Sequence, residues 1–489
     1  MAISLPKLVL HFNSLQFKQV VPENVVQNQF LGQKLTFPRL AIRQEATIRP
    51  KKNCMSSINE FLPTGSEIET VKLICSNDDE GSPINKEPEK ALADHWLDIH
   101  GQDDWEGMLD PFDPLLKTEV IRYGMMAQAC YDAFDSDPRS KHCGSCRFIP
   151  DMFFQGLGLT NGYQVSGYIY ATYDISLPNI IRRSLWPEGR TEEPNWMGYV
   201  SVSDDETTQK LGRRDITIAW RGTVTKLEWV ADLMDFLWPI NLKKIPSPYP
   251  DVKVETGFLQ VYTGKNKHCP CCKYSVREQV LAEVNRLIHK YADEKLSITV
   301  TGHSLGSALA ILNAYDMKEV GLDVMEDGRT IPICVFSFSG PRVGNNRFKE
   351  RLEWLGVKVL RVLNIHDKVP KAPGFFLNEH MPRVIQNLTK KIPWCYSHVG
   401  IELALDHENS PFLKDTSDLF SLHNLDALLH LVDGYHGKGE PFALIGEHDL
   451  ARVNKDCDFL KDCFLIKPKW GQDEHRKMAK NQEDNLAPP

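Results

Sequence analysis

Ser304 stands in the run Gly302-His303-Ser304-Leu305-Gly306, where the β-branched stretch Ile298 to Thr301 gives way to the small helix formers Ser307, Ala308 and Ala310. Strand, tight turn and helix in that order make a nucleophile elbow. The flanking glycines Gly302 and Gly306 let strand and helix pack close, while the serine takes a strained backbone that pushes its hydroxyl clear. The helix start places backbone N–H groups beside that hydroxyl, ready to hold a developing oxyanion. The same five residues could also be a glycine-rich turn without chemistry, because short motifs recur by chance. The rest of the chain has to decide.

A serine hydroxyl is a poor nucleophile at neutral pH and needs a base, which itself needs an orienting carboxylate. In α/β hydrolases these follow in the order serine, acid, histidine. Asp367 is the strongest acid candidate: it follows the apolar run Val357 to Leu363 and opens a loop stiffened by Pro370 and Pro373. A turn cap is the alternative role for such an aspartate. For the base, His366, His380, His398, His407, His423, His430 and His436 compete. His366 adjoins the acid, so the two side chains would diverge on an extended backbone. His398 lies in the strand-like YSHVGIEL, and His430 sits inside the apolar helix NLDALLHLV, which His423 precedes. Position alone puts His423 only modestly ahead.

The oxyanion hole should combine the Leu305 amide with one from a loop after an earlier strand. Asp215 to Trp220 (DITIAW) is a buried-strand candidate, and Arg221, Gly222 and Thr223 follow it directly. Next comes Val224 to Trp238, with Leu227, Trp229, Val230 and Leu233 among its apolar residues. It reads either as a core helix or as a lid that covers the serine in water and lays its apolar face on lipid.

These candidates need a frame. Asp110 to Phe134 has helical spacing, Gln164 to Tyr173 and Gly198 to Val202 read as strands, and Ser275 to Ala292 is an amphipathic helix opened by a Ser275/Glu278 capping box. Ile331 to Phe338 and Val357 to Leu363 add further apolar strands. Strands alternating with helices, apolar enough to be covered on both faces, predict an α/β fold with a mostly parallel central sheet. Chemistry in such sheets sits at the carboxyl ends of strands, where Ser304, Thr223 and Asp367 all fall.

Composition narrows the function classes. The chain has 489 residues, 42% hydrophobic and 25% charged, an ordinary globular balance, and its net charge of −8 carries no basic footprint for nucleic acid. It has no apolar run long enough to span a bilayer, so work on lipid would be done from the surface. Residues 1–52 hold eight Lys or Arg against Glu23 and Glu45 alone, the pattern of an organelle transit peptide. Residues 53–92 turn acidic and rich in Ser, Asn, Gly and Pro, and read as a flexible linker. The folded domain is expected over 93–450, with a C-terminal extension over 451–489. Twelve cysteines in a chain of this size are not a disulfide framework. Cys143 with Cys146, and His268 with Cys269, Cys271 and Cys272, could bind zinc, but surface-loop thiols or a local disulfide fit their spacing better.

Taken together, RGTVTKLEWVADL, GHSLG, FSGPRVGN and NIHDKVP resemble the class 3 lipases, the fungal triacylglycerol lipase fold, in that family's order. QDDWEGMLDPFDPLL, AQACYDAFD and the stretch Leu422 to Tyr435 are similar to the plant class I phospholipases A1, their plastid γ-type members in particular. The resemblance spans roughly residues 96 to 470. It implies an α/β-hydrolase fold with Ser304 as nucleophile, Asp367 as acid and His423 as base, chosen over His398. It further implies Thr223 and Leu305 at the oxyanion hole, Val224 to Leu233 as the lid, and neither cofactor nor metal. The implied activity is sn-1 acyl hydrolysis of membrane glycerolipids, phosphatidylcholine and galactolipids, by a chloroplast protein at the membrane surface. One departure stands out: fungal relatives carry a histidine before a Gly-Phe pair where this chain has Glu255, Thr256, Gly257 and Phe258. A catalytically silent lipid or partner binder is the alternative function. A zinc protein built on the thiol clusters is a third.

Overall fold

The strand and helix periodicities assemble into one seven-stranded sheet in the computed structural model, which describes residues 87–137, 139–172, 194–223, 237–239, 245–266, 272–373 and 395–471. In chain order the strands are β1 (Tyr163–Ala171), β2 (Asn195–Ser203), β3 (Arg214–Trp220), β4 (Leu237–Pro239), β5 (Lys253–Glu255), β6 (Leu296–His303), β7 (Ile333–Phe338), β8 (Lys358–Asn364) and β9 (Ile401–Leu405). The sheet order is β1-β2-β3-β6-β7-β8-β9, and β4 pairs only with β5. From β3 onward every pairing in the large sheet is parallel, whereas β1, β2 and β3 are mutually antiparallel neighbours. The sheet is thus mostly parallel, with one antiparallel flank. The parallel strands put their carboxyl ends, and the loops that follow them, on one edge.

The helices are α1 (Glu87–Ile99), α2 (Pro114–Asp132), α3 (Thr256–Thr263), α4 (Val276–Lys290), α5 (Leu305–Glu319), α6 (Asn346–Trp354) and α7 (Leu425–Gly434), with shorter turns between them. Local sequence sets their starts. The Asp113 carboxylate caps α2 at the Leu116 amide (2.9 Å) ahead of Pro114, and Ser275 and Glu278 form the expected capping box on α4. α5 is buried on all sides from Leu305 to Met317, which explains why it shows no amphipathic stripe.

Strand alternation feeds two cores. On one face Ile218, Trp220, Ile298, Val300 and Val335 pack with Val280, Val284 and Leu287 of α4 and with Leu309 and Leu312 of α5. On the other, Tyr199, Phe336, Phe338, Leu360 and Val362 pack with Val120 and Tyr123 of α2 and with Leu428, Leu429 and Val432 of α7. Val453, Cys457, Phe459 and Leu460 join this second core, so the C-terminal extension contributes side chains to the domain's interior. At the other end α1 opens at Glu87, inside the segment whose composition reads as linker.

A buried charge sits between α2 and the sheet. The Asp215 carboxylate accepts hydroxyls from Ser297 and Thr299 (both 2.7 Å), Thr217 and Tyr163 (both 2.8 Å) and Tyr123 (3.0 Å). Burial alone would raise its pKa, but the Arg213 charge and these donors hold it below the usual carboxylate range. Among the described residues no helix is long and apolar enough to cross a membrane.

Candidate active site

At Ser304 the chain turns sharply from the end of β6 into α5. Ser304 takes φ 60° and ψ −127°, a conformation a non-glycine residue holds only where its surroundings enforce it. They do: the Ser304 amide donates to the Phe338 carbonyl (3.0 Å), and the Ser307 hydroxyl donates to the same carbonyl (3.0 Å) and to that of Gly302. A side chain at Gly306 would strike the Trp220 carbonyl of β3, and one at Gly302 would strike Gly306 itself. Both glycines are therefore required for the close approach of strand and helix. The Ser304 hydroxyl makes no capping bond, is buried, and has no hydrogen-bond partner. Leu305 opens α5, so its amide lies in the first turn, where helix geometry leaves N–H groups without an intrahelical acceptor.

Asp367 lies in a tight turn after β8. Its amide donates to the Asn364 carbonyl (3.0 Å), and its Oδ1 accepts from the Val369 amide (2.9 Å). Its Oδ2 is 2.7 Å from Nδ1 of His423. His423 occupies the single-residue joint between a short helical turn (Leu419–Leu422) and Asn424, whose side chain caps α7 at the Ala427 amide (2.8 Å). A carboxylate can only accept, so Nδ1 carries the proton and Nε2 is left with a lone pair. That Nε2 is buried and unpartnered, as is Oγ of Ser304.

His303 ties the two sides together. Its ring packs on that of His423 with centroids 4.5 Å apart, and its Nε2 is 3.0 Å from the His423 carbonyl. Since a carbonyl only accepts, Nε2 bears the hydrogen and Nδ1 accepts from the Tyr131 hydroxyl at 2.8 Å. Burial, and secondarily the neighbouring His423, push the His303 pKa well below its ordinary value, so this ring is neutral. Sequence reading marked His303 only as an elbow residue and missed Tyr131 entirely. The partners are separated by 172 positions, and no local pattern links them.

The loop after β3 closes the site from another side. A side chain at Gly222 would meet the Tyr131 hydroxyl, the His303 carbonyl and Cβ of Ser304, so the backbone of Gly222 runs directly against the elbow. Arg221 is fully buried and holds this loop through its own neighbours. It donates to the carbonyls of Trp196 (2.9 Å) and Gly222 (2.8 Å) and to Oδ1 of Asn195 (2.9 Å), with its guanidinium 3.9 Å from the Phe134 ring centroid. Burial draws its pKa down to about 10. Thr223, the next residue, is buried beside it.

The remaining histidines have other partners. His398 is 2.7 Å from the Pro370 carbonyl, His430 pairs with the Ser410 hydroxyl (2.9 Å), and His436 contacts the Ala443 carbonyl (2.7 Å). His366 pairs with Asp406 (3.2 Å) and packs edge-on against His407. His380 and the lid residues Leu227, Trp229, Val230 and Leu233 lie outside the described residues, as do residues 1–86. Cys143 and Cys272 are buried rather than surface-loop thiols, Cys146 approaches the Tyr168 hydroxyl (3.4 Å), and Cys269 and Cys271 lie outside the described residues. The departure at Glu255 also has a local reason: its carboxylate caps α3 at the amides of Gly257 (2.8 Å) and Phe258 (2.7 Å).

Comparison with known proteins places this chain among ester hydrolases. Residues 217–377 match the model of the class 3 lipase family. The chain is 57% identical over 402 residues to phospholipase A1-Igamma2, chloroplastic, of Arabidopsis thaliana, covering 81% of this chain and 76% of the relative. It is 56% identical over 406 residues to phospholipase A1-Igamma1, chloroplastic, of the same plant, covering 82% of this chain and 79% of the relative. A third Arabidopsis thaliana protein, galactolipase DONGLE, chloroplastic, is 43% identical over 350 residues, covering 70% of each chain.

Proposed function

The chain belongs to the class 3 lipases, within the chloroplastic phospholipases A1, and from that premise we propose that it hydrolyses the sn-1 ester of membrane phospholipids and galactolipids through Ser304, Asp367 and His423. One observation carries the assignment of residues. His423 is bonded through Nδ1 to Asp367 at 2.7 Å, while its Nε2 and the Ser304 hydroxyl are buried polar atoms without partners. The site thus leaves open a ring nitrogen that can take a proton and a hydroxyl that can give one, the two groups that the first step needs.

In the first half-reaction Nε2 of His423 takes the Ser304 proton as Oγ attacks the acyl carbonyl, and Asp367 orients the ring and offsets its new charge. The amides of Leu305 and Thr223 receive the oxyanion. Collapse expels the lysolipid, which leaves with the proton from His423, and the acyl group stays on Ser304. Water, deprotonated by the same nitrogen, then releases the fatty acid. Val224 to Leu233 serves as the lid, and residues 1–52 direct the chain to the plastid.

The test uses the purified chain with vesicles of phosphatidylcholine or monogalactosyldiacylglycerol carrying a labelled sn-1 acyl group. Native protein should release labelled fatty acid and take up a fluorophosphonate probe. Ser304→Ala should lose the label and at least about a thousandfold in rate. Near-normal hydrolysis by that variant would overturn the serine mechanism, and folded native protein that neither turns over nor labels would favour a silent binder.

A further inference from the structure

Two histidines that the proposed reaction does not use meet on the outer side of the Asp367 turn. His366 follows β8, and His407 lies in the 3-10 turn His407–Asn409 that follows β9. Nε2 of His366 is 3.2 Å from Oδ1 of Asp406 and 3.5 Å from Oε1 of Glu408, and Nδ1 of His407 is 4.0 Å from the same Asp406 oxygen. Donor atoms around a tetrahedral zinc ion, each about 2.0–2.1 Å from the metal, stand roughly 3.3–3.4 Å apart. Two of the three separations are already close to that edge, and the third differs from it by less than an ångström.

On His407 a lone pair faces this cluster. The Asn364 side-chain carbonyl accepts from the His366 amide (3.2 Å), which turns its NH2 group toward Nδ1 of His407 at 3.5 Å. Nδ1 therefore bears the lone pair. That contact is long, so a cation can replace it. His407 is almost fully buried, and its Nε2 has no partner. His366 and Asp406 are partly exposed, which leaves a path for an ion and freedom to adjust.

We propose that His366, Asp406 and His407, with Glu408 as a fourth donor, form a binding site for one divalent cation of the zinc class. Two imidazoles with a carboxylate select a borderline transition ion over the hard, oxygen-seeking Mg2+ or Ca2+. A bound ion would fasten the turn after β8 to the turn after β9. His366 directly precedes Asp367, so that fastening acts on the segment that orients His423.

The experiment uses the full chain freed of metal by chelator and titrated with Co2+ and, separately, with Zn2+. The expected result is one equivalent of Co2+ with a visible d–d band and no thiolate charge-transfer band, and a thermal midpoint that rises with added Zn2+. His366→Gln and Asp406→Asn should each weaken binding at least about tenfold and abolish the thermal shift. Asp406 also accepts from the Glu408 amide (3.0 Å), a cap that Asn can keep, so this variant tests the site even if the other fails to fold. Metal binding that is unchanged in Asp406→Asn, a spectrum dominated by thiolate, or no binding at all would overturn the site. None of these readings depends on ester hydrolysis, so failure here is separate from failure of the proposed reaction.

Discussion

At the residue scale, the arrangement around His423 divides its tasks among neutral and charged neighbours. Asp367 faces Nδ1 and can offset a positive ring, whereas His303 packs on the ring and holds its carbonyl while staying neutral. A charged His303 would repel the imidazolium that acyl transfer requires. Tyr131 fixes the tautomer that makes this possible, because its hydroxyl occupies the only lone pair on His303. Tyr131→Phe and His303→Phe should therefore each lower kcat by about tenfold to a hundredfold with little change in KM. His303→Phe keeps the ring contact and loses the bond to the His423 carbonyl, so it separates packing from positioning. Steady-state kinetics across pH would check this. An unchanged kcat with a raised KM would assign both residues to substrate binding instead.

At the element scale, the helices behind the site carry histidines that the fold keeps neutral. Burial, then the Arg213 charge, lower His100 at the end of α1 to about 3, and burial, then His448, lower His430 in α7 to about 3. Unfolded, each would titrate near its ordinary value of about 6.5. Between these limits the unfolded chain binds protons that the folded chain refuses, so stability is full above about pH 6.5 and falls as pH drops toward about 3. Denaturant midpoints measured from pH 7 to 4 should decline, and the decline should be shallower in His430→Gln. A pH-independent midpoint would contradict the buried neutral state. Asp215 adds to the same trend further down: its folded pKa is depressed, so its contribution is present above the ordinary carboxylate range and is lost as pH falls below it.

At the scale of the whole molecule, the segment after α7 closes the domain. Val453, Cys457, Phe459 and Leu460 are each no more than 1% exposed. Arg452 bridges Asp426 at the start of α7 and Asp132 at the end of α2, both at 2.8 Å. Burial would raise Asp426, yet Arg452 and His448 hold its carboxyl down at about 2. Ending the chain at Asp449 would remove these core side chains, at about 2–5 kcal/mol for each large one, and would leave Asp426 without its Arg452 partner. Against a typical stability of about 5–15 kcal/mol, that chain should fail to fold, seen as loss of near-UV dichroism and of soluble yield. Arg452→Met, which removes the charge and its two hydrogen bonds but leaves the core side chains in place, should stay folded but with a lowered thermal midpoint. Because α7 follows His423 directly, activity should fall with it.

What the sequence determined by itself is what local physics controls. Strand, turn and helix around Ser304 depend on β-branched residues, two glycines and small helix formers next to one another, and the Ser275/Glu278 capping box and the apolar strands are read in the same way. The parallel core of the sheet followed from strands apolar on both faces. Family resemblance, rather than position, selected His423 among its competitors, because a histidine's role depends on what stands across from it. Tertiary structure alone decided the rest: that the His423 ring meets Asp367, that Tyr131 sets the tautomer of His303, that hydroxyls from four separate segments satisfy Asp215, and that His366 and His407 converge. Such pairings join residues far apart in the chain, and a hydrogen bond leaves no periodicity in the sequence from which it could be read.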